Sequence, residues 1–153
     1  MGVTRVAYAV DGWGVGELWL ADGRVVEIEH PRPRAASDLV AQSHKVAGRL
    51  ERWFAGSRDD FADLPLDLDW CTPFQRALVD ALRSVPYGET VTYGELAALA
   101  GRPGAARAAG TFCARNRYAI VVPCHRVLAA GGLGGYGSLG LGYKRRLLAL
   151  EAA

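Results

Sequence analysis

The hydrophobic pattern of the chain changes from strand-like to helical after about residue 30. Apolar positions alternate over residues 3–10 and again on both sides of a turn signal at Asp22-Gly23. Leu18-Trp19-Leu20 precedes this turn, and residues 25–28 follow it. Short β-prone runs joined by Asp-Gly are typical of hairpins. The first thirty residues therefore predict a small antiparallel sheet with a hairpin at Asp22-Gly23.

Helical spacing begins after the proline-rich connector at residues 31–34. Ser37-Asp38 can cap a helix that we expect to run from about Leu39 to Phe54, because serine and aspartate accept hydrogen bonds from the first helical N–H groups. His30 lies in the connector and His44 in the predicted helix. Neither has a second set of ligands nearby in sequence, so both are expected to be surface or packing residues.

An acidic, proline-interrupted segment at residues 59–69 predicts the boundary between two lobes. We assign residues 1–69 to an N-terminal α/β lobe and residues 70–153 to a C-terminal lobe. Thr72-Pro73 follows the boundary, and threonine before proline is typical of a helix start. The expected fold class is α+β: a small antiparallel sheet with a helix, then a mainly α lobe.

A helix-turn-helix pattern follows in the C-terminal lobe. Thr92 is predicted to cap a helix over residues 93–100, residues 101–104 form a turn, and residues 105–114 form an alanine-rich helix. The exposed positions of this second helix are expected to be small and so allow close approach to another surface: Ala105, Ala106, Ala108, Ala109 and Gly110. Arg107 is its one long charged side chain. The pattern fits nucleic-acid binding, and equally two packed helices with small residues at their contact.

The candidate chemistry lies in the run 121–127, which contains Cys124 between apolar residues and a basic pair. Residues 120–122 predict a buried strand that Pro123 ends, so Cys124 would be fixed at a strand end. His125 and Arg126 are neighbours of the kind that lower a thiol pKa and raise its nucleophilicity. The alternative is a buried structural cysteine before a surface basic pair.

Two further segments follow the cysteine. The glycine-rich run 131–138 lacks the ending of a P-loop and the spacing of a dinucleotide fingerprint, so we expect a closely approaching wall beside a pocket. The last helix is predicted over residues 143–152, with Lys144-Arg145-Arg146 outward and its leucines inward.

Composition narrows the class of protein. Half of the 153 residues are hydrophobic, and neither a signal pattern nor a membrane-length apolar run is present, so we expect a soluble cytoplasmic protein. Three cysteines without Cys-x-x-Cys spacing argue against a disulfide framework and a zinc site. Residues 1–69 carry eight basic and twelve acidic side chains, whereas residues 70–153 carry ten and four. The basic second half suits a polyanionic partner.

These features together resemble the O6-alkylguanine-DNA alkyltransferase family, also called methylated-DNA–protein-cysteine methyltransferases. The resemblance covers residues 72–151, whereas residues 1–69 resemble only the variable N-terminal lobe of the family, which is ribonuclease-H-like. The resemblance rests on the following motifs and residues: Pro-Cys-His-Arg-Val at 123–127, Asn116, Thr-Tyr-Gly-Glu-Leu-Ala at 92–97, the run 105–110, Gly135-Tyr136, Lys144, Leu147-Leu148 and Glu151.

The resemblance implies a DNA-repair protein that binds duplex DNA containing O6-alkylguanine, flips the damaged base and transfers its alkyl group irreversibly to Cys124. The resemblance also implies that the protein is a monomer and that it uses neither a cofactor nor a metal. Tyr93 would assist the leaving base and Asn116 would hold the active-site turn. His125, bridged by water to Cys124 and oriented by Glu151, would accept the thiol proton.

The resemblance also implies roles in the pocket and on DNA. Tyr136 and Ser138 would cover the flipped base, Lys144 would lie near the pocket, and Cys113 would line it. Arg107 would enter the space vacated by the base. The remaining DNA-facing residues would be Thr92, Ala105, Ala106, Ala108 and Gly110. Arg126 could serve phosphates, the pocket or an internal ion pair, and we assign it a structural role.

Two other functions fit parts of this pattern. A related group of proteins recognises alkylguanine without repairing it, but those proteins replace the cysteine that is present here as Cys124. A cysteine hydrolase is disfavoured because no oxyanion hole is evident. Phe112, Cys113 and Arg117 depart from common family residues, which leaves the alkyl range open.

Overall fold

The computed structural model describes residues 2–34 and 43–153. The chain divides into two compact units. Unit 1 comprises Met1–Asp67 together with Arg117–Ala119, and unit 2 comprises Leu68–Asn116 and Ile120–Ala153.

Unit 1 contains a three-stranded antiparallel sheet in the order β1-β2-β3. The strands are β1 at Thr4–Val10, β2 at Gly14–Ala21 and β3 at Arg24–Ile28. Asp22 and Gly23 join β2 to β3 with φ values of 53° and 75°. Positive φ at both central residues matches the right-handed twist of a hairpin and suits Asp-Gly. The predicted sheet and its hairpin are confirmed.

The helix of unit 1, α1, runs over Lys45–Phe54 and packs on β1. Its first turn is capped by His44, whose Nδ1 accepts from the Val46 N–H at 3.1 Å. The predicted cap at Ser37-Asp38 lies outside the described residues. Residues 43 and 44 are not helical, so the predicted helix is too long at its start, and His44 is a capping residue.

A short segment from late in the chain completes unit 1. Ile28 N–H donates to the Arg117 carbonyl at 2.7 Å, and Ala119 N–H donates to the Ile28 carbonyl at 3.2 Å. The Tyr118 side chain is buried there and donates its hydroxyl to the Asp67 carbonyl. Such long-range pairing leaves no local sequence pattern, and our division at residue 69 placed these three residues with the second lobe.

Unit 2 begins with two helices whose starts follow the predicted caps. Helix α2 covers Pro73–Arg83, and α3 covers Tyr93–Leu99. Thr72 Oγ1 accepts from the Gln75 N–H at 3.2 Å, and Thr92 Oγ1 accepts from the Glu95 N–H at 3.1 Å. In both caps the side chain three residues later bonds back to the threonine N–H, which makes each a full capping box.

The remaining elements of unit 2 surround these helices. Helix α4 at Ala106–Ala114 packs on α3, and α5 occupies Gly140–Ala152. Strands β4 at Val91–Thr92 and β5 at Val127–Leu128 form a parallel pair that the sequence did not predict. The predicted helix-turn-helix and α+β class are confirmed. In the described part of the chain, every helix is too short or too polar to cross a membrane.

Two local predictions in this unit are wrong. Residues 120–122 are buried but form a turn, because Ile120 adopts a φ of 70°, which is incompatible with a strand. Ala109, predicted to be exposed on α4, is fully buried. It lies on the face of α4 opposite to the exposed Arg107 and Ala108, and its methyl group is small enough for close helix packing.

Candidate active site

Cys124 begins a single 3₁₀ turn, Cys124–Arg126, that follows the buried turn. The Val122 carbonyl before it accepts two hydrogen bonds, each of 2.8 Å: one from Asn116 Nδ2 and one from the Cys124 backbone N–H. These bonds fix the backbone on which the thiol stands. Asn116 thus lies where the prediction of a turn-holding amide requires it.

The Cys124 thiol opens onto a cavity of about 200 Å³ within unit 2. Five of its lining residues were predicted as site residues: Tyr93, Gly110, Cys113, Cys124 and Tyr136. Three others, Ala114, Gly135 and Gly137, were not named as pocket residues. The glycine-rich run is the sequence signal for Gly135 and Gly137, because a cavity wall formed by main-chain atoms needs residues without side chains.

Burial raises the pKa of the Cys124 thiol well above its usual value. A hydrogen bond with Cys113 and its negative charge act in the same direction, and only the ammonium of Lys144 opposes them. The expectation that His125 and Arg126 lower this pKa is wrong, because both side chains are directed to Glu151. Cys124 is therefore a protonated thiol.

Glu151, near the end of α5, is the centre of a buried polar cluster. Its carboxylate accepts from His125 Nε2 at 2.7 Å, from the Arg126 guanidinium at 2.7–3.0 Å and from the Gly88 N–H at 3.0 Å. Arg126 also donates to the Val85 carbonyl at 2.8 Å. The internal ion pair, one of the three options for Arg126, is the one observed.

The charges within this cluster follow from its contacts. Burial alone would raise the pKa of Glu151, but hydrogen bonds from His125 and Arg126 outweigh it and lower that pKa to about 2. Burial lowers the pKa of His125 below 6.5, although Glu151 opposes the shift. Because a carboxylate only accepts, the neutral imidazole carries its proton on Nε2. Its Nδ1 is then the basic nitrogen.

Lys144 is buried rather than outward-facing, which corrects the prediction made from the basic run. Its ammonium donates to the carbonyls of Val127, Leu133 and Gly135, and it lies 5.7 Å from the Tyr93 ring centroid. Burial lowers its pKa, whereas nearby Cys113 and Cys124 raise it. Three carbonyls from β5 and the glycine-rich run supply the partners that make an inward lysine tolerable.

Tyr93 lies at the first turn of α3 and lines the cavity with its ring. Its hydroxyl donates weakly to the Gly135 carbonyl at 3.5 Å. Burial raises the pKa of Tyr93, and the negative charges that Cys113 and Cys124 can carry raise it further. The phenol is consequently protonated at neutral pH and available as a donor.

The glycine-rich run forms the opposite side of the cavity. Tyr136 stacks on Tyr143 of α5 with ring centroids 6.3 Å apart and planes at 22°. Ser138 is exposed and does not line the cavity. Of the two residues expected to cover a base, Tyr136 is in the cavity wall and Ser138 lies outside it.

The predicted DNA-facing residues lie in and just before α4, except for Thr92, which precedes α3. Arg107 and Ala108 are exposed, while Ala105, Ala106 and Gly110 are partly buried. Thr92 uses its hydroxyl as the cap of α3. Within residues 2–34 and 43–153 there is no group of three or more His, Cys, Asp or Glu side chains placed to hold a metal.

Comparison with known proteins places the chain in a family. Residues 73–153, more than half of the chain, match the family described as the DNA-binding domain of 6-O-methylguanine DNA methyltransferase. Two proteins named methylated-DNA–protein-cysteine methyltransferase are 50% identical to it. The one from Mycobacterium leprae aligns over 70% of this chain and 64% of its own length, and the one from Mycolicibacterium paratuberculosis over 78% and 67%.

A solved structure shows the same architecture. The Mycobacterium tuberculosis protein OGT in complex with DNA is 35% identical, with a TM-score of 0.80 over 97% of this chain and 92% of that one. The names of these relatives agree with the predicted enzyme class. The predicted family is thereby confirmed: the chain belongs to the 6-O-methylguanine DNA methyltransferase family.

Proposed function

We propose that this chain repairs duplex DNA by moving an alkyl group from O6 of guanine to Cys124, once per molecule and without a cofactor. The observation that carries the proposal is the position of the Cys124 thiol in a cavity of about 200 Å³ between two tyrosines, Tyr93 and Tyr136. The names of the relatives and the DNA complex of the M. tuberculosis protein support it.

The transfer is a displacement at the alkyl carbon. A bond forms between Cys124 Sγ and the carbon while the bond from the carbon to O6 breaks, and its electron pair goes to the guanine. Tyr93 stabilises the leaving base by donating a hydrogen bond or proton, which its raised pKa keeps available. The thioether product has no route back to a thiol, so each molecule reacts once.

His125 accepts the thiol proton through a water bridge. Its lowered pKa keeps it neutral at pH 7, and Glu151 holds Nε2 so that Nδ1 can act as the base. Glu151 stabilises the imidazolium that forms. Because the resting thiol is protonated, the nucleophile is generated when the alkylated base fills the pocket.

Other residues position this machinery. Asn116 holds the turn before Cys124, and Lys144 ties the glycine-rich run to β5 beneath the Tyr93 ring. Cys113 lines the wall next to the reacting sulfur. Tyr136 covers the flipped base, and Ser138 belongs to the same covering run.

Helix α4 is the proposed DNA-facing element. Arg107 enters the stack in place of the flipped guanine, and flipping costs a few kcal/mol that an inserted side chain offsets. The small residues around it, Ala105, Ala106, Ala108 and Gly110, let the helix approach the minor groove, with Thr92 at its edge. We further propose that the protein acts as a cytoplasmic monomer and that residues 1–69 form a ribonuclease-H-like lobe.

The decisive experiment is the mass of the intact protein after incubation with excess duplex containing O6-methylguanine. We expect a gain of one methyl group and no further turnover. Trypsin cuts after Arg107, Arg115, Arg117 and Arg126, so Cys113 and Cys124 fall in separate peptides, 108–115 and 118–126. The methyl group should be in peptide 118–126.

Two variants complete the test. Cys124→Ala should bind the lesion duplex without gaining mass, and Cys71→Ser should gain the methyl group as the unaltered chain does. Lesion-selective binding with unchanged mass of the unaltered protein would overturn the transfer and support damage recognition alone.

A further inference from the structure

The pocket contains a second thiol that the proposed alkyl transfer does not use. Cys113 lies in the last turn of α4 with 8% of its surface exposed and lines the same cavity as Cys124. The third cysteine of the chain, Cys71, precedes α2 and is not among the cavity-lining residues. The cavity therefore brings together two of the three thiols.

The two thiols are close enough to interact directly. Both side chains line the same cavity, where Cys113 acts on the Cys124 thiol and raises its pKa, and all three cysteines of the chain are thiols in this structure. A disulfide requires the sulfurs to approach to about 2.0 Å. The cavity of about 200 Å³ beside them provides space for the side-chain rotations that this approach needs.

We propose that Cys113 is a resolving thiol that forms a reversible disulfide with Cys124 when a peroxide enters the pocket. The thiol chemistry is independent of the activity proposed above. The consequence for repair rests on that activity, because a sulfur held in a disulfide cannot accept an alkyl group. The bond would suspend repair and shield Cys124 from irreversible oxidation.

The reaction balances in two steps. A thiolate of the pair attacks one peroxide oxygen, so that an S–O bond forms, the O–O bond breaks and the peroxide is reduced to water after proton uptake. The second thiol then attacks the sulfenic sulfur, so that the S–S bond forms and a second water leaves. Two thiols are oxidised by one peroxide, and the protein loses two hydrogen atoms.

Lys144 is the neighbouring group that favours a thiolate in this pocket, against the burial that keeps the resting Cys124 protonated. The Lys144 ammonium attracts negative charge on either sulfur, whereas charge on one sulfur disfavours charge on the other. A thiolate formed beside Lys144 would therefore stand next to a thiol, which is the combination that the two steps need. Hydrogen peroxide is small enough for a cavity of this volume.

The test uses the full-length reduced protein without DNA. The protein is treated with hydrogen peroxide, the remaining thiols are blocked with iodoacetamide, and the digest is analysed without reductant. We expect the intact mass, measured before blocking, to fall by two hydrogen atoms, and peptide 108–115 to be linked to peptide 118–126. Cys71 lies in a third tryptic peptide, 59–76, which should carry the block.

Variants separate a resolving role from simple oxidation. In Cys113→Ser, and in Cys113→Ala as a second form, peroxide should drive Cys124 to sulfinic acid, which dithiothreitol does not reverse. Cys71→Ser should give the same linked peptides as the unaltered chain. Thermal unfolding of each reduced variant checks that it is folded.

The outcomes distinguish the two proposals. Sulfinic Cys124 in the unaltered chain, or a disulfide to Cys71, would overturn the resolving role even if the reduced protein accepts methyl groups. Linked peptides in a protein that never accepts a methyl group would sustain the thiol chemistry and overturn the proposed function. If both hold, peroxide treatment should abolish methyl acceptance, and dithiothreitol should restore it.

Discussion

At the scale of single residues, burial and contacts set the protonation states of the candidate site. Cys124, which is buried, and Tyr93, which is partly buried, both have pKa values raised by desolvation, so both are protonated in the resting pocket. His125 is neutral because burial lowers its pKa. One neutral base beside two protonated groups is the arrangement that a transfer with proton relay requires.

The first prediction concerns the pH dependence of alkyl transfer. Only neutral His125 can accept the thiol proton, and its pKa lies below 6.5. The single-turnover rate at saturating lesion duplex should therefore be constant from pH 7 to 8 and should fall on acidification, with a midpoint below 6.5. Binding by Cys124→Ala at each pH serves as the control. A midpoint above 6.5 would contradict the assignment of His125 as the base.

The second prediction concerns Glu151 and acid stability. Its folded pKa of about 2 lies below the ordinary 4.5, so its ionised form stabilises the fold above pH 4.5, and this contribution is lost as the pH falls toward 2. The shift corresponds to about 3 kcal/mol. In urea unfolding, the stability difference between the unaltered chain and Glu151→Gln should shrink over that interval.

A matched substitution tests whether this effect is specific to the buried cluster. Glu89 is exposed, and Glu89→Gln makes the same chemical change as Glu151→Gln at a site outside the cluster. The unfolding free energy of the Glu89→Gln variant should follow that of the unaltered chain at each pH. A pH-independent difference for Glu151→Gln would show that the ion pair with Arg126 contributes no proton-linked stability.

At the scale of elements, local signals predicted the starts of α2 and α3 well and the irregular segments poorly. Thr72, predicted as a cap from the proline that follows it, and Thr92 both form capping boxes, whose partners lie within four residues of sequence. The turn at 120–122 reads as a strand because its residues are apolar, and only the positive φ of Ile120 reveals otherwise. Such a conformation is imposed by the surrounding packing.

The orientation of side chains in α5 also could not be predicted from local sequence alone. Lys144 stands in a run of three basic residues, and a helical pattern places such runs outward. Its carbonyl partners come from β5 and the glycine-rich run, which only the tertiary structure brings together. Of the candidate site, the residue types could be predicted, whereas the choice among the three options for Arg126 and the proximity of Cys113 to Cys124 in one cavity could not.

The third prediction concerns the glycine-rich run. Gly134 has a φ of 73°, and a Cβ there would lie 2.9 Å from the Tyr93 ring and 3.3 Å from the Ala129 backbone. Gly134→Ala should therefore displace Tyr93 and slow transfer by about tenfold or more, since misplacement of about 1 Å can cost a hundredfold. The measurement is the single-turnover rate at saturating lesion duplex.

The control lies in the same run. A Cβ at Gly131 would meet no atom within 4 Å, and its φ is not in the left-handed region. Gly131→Ala should leave the transfer rate unchanged. Equal slowing by both variants would mean that the flexibility of the run, and not its contact with Tyr93, limits the reaction.

At the scale of the whole molecule, charge and chemistry lie in the same part of the chain. Residues 70–153 carry ten basic and four acidic side chains, and the cavity with all of its lining residues belongs to unit 2. Two of these basic side chains have partners inside the protein, because Arg126 is paired with Glu151 and Lys144 is buried, whereas Arg107 is exposed on α4. Net charge alone therefore overstates what this half offers to DNA.

The fourth prediction tests Arg107 as the residue that replaces the flipped base. Only duplex substrate requires flipping, so Arg107→Ala should slow transfer from an O6-methylguanine duplex far more than transfer from the free base. Arg52→Ala removes the same charge from an exposed position on α1 in unit 1 and should affect neither substrate. Equal slowing on both substrates would remove Arg107 from the flipping step, because the free base presents no stack for the side chain to enter.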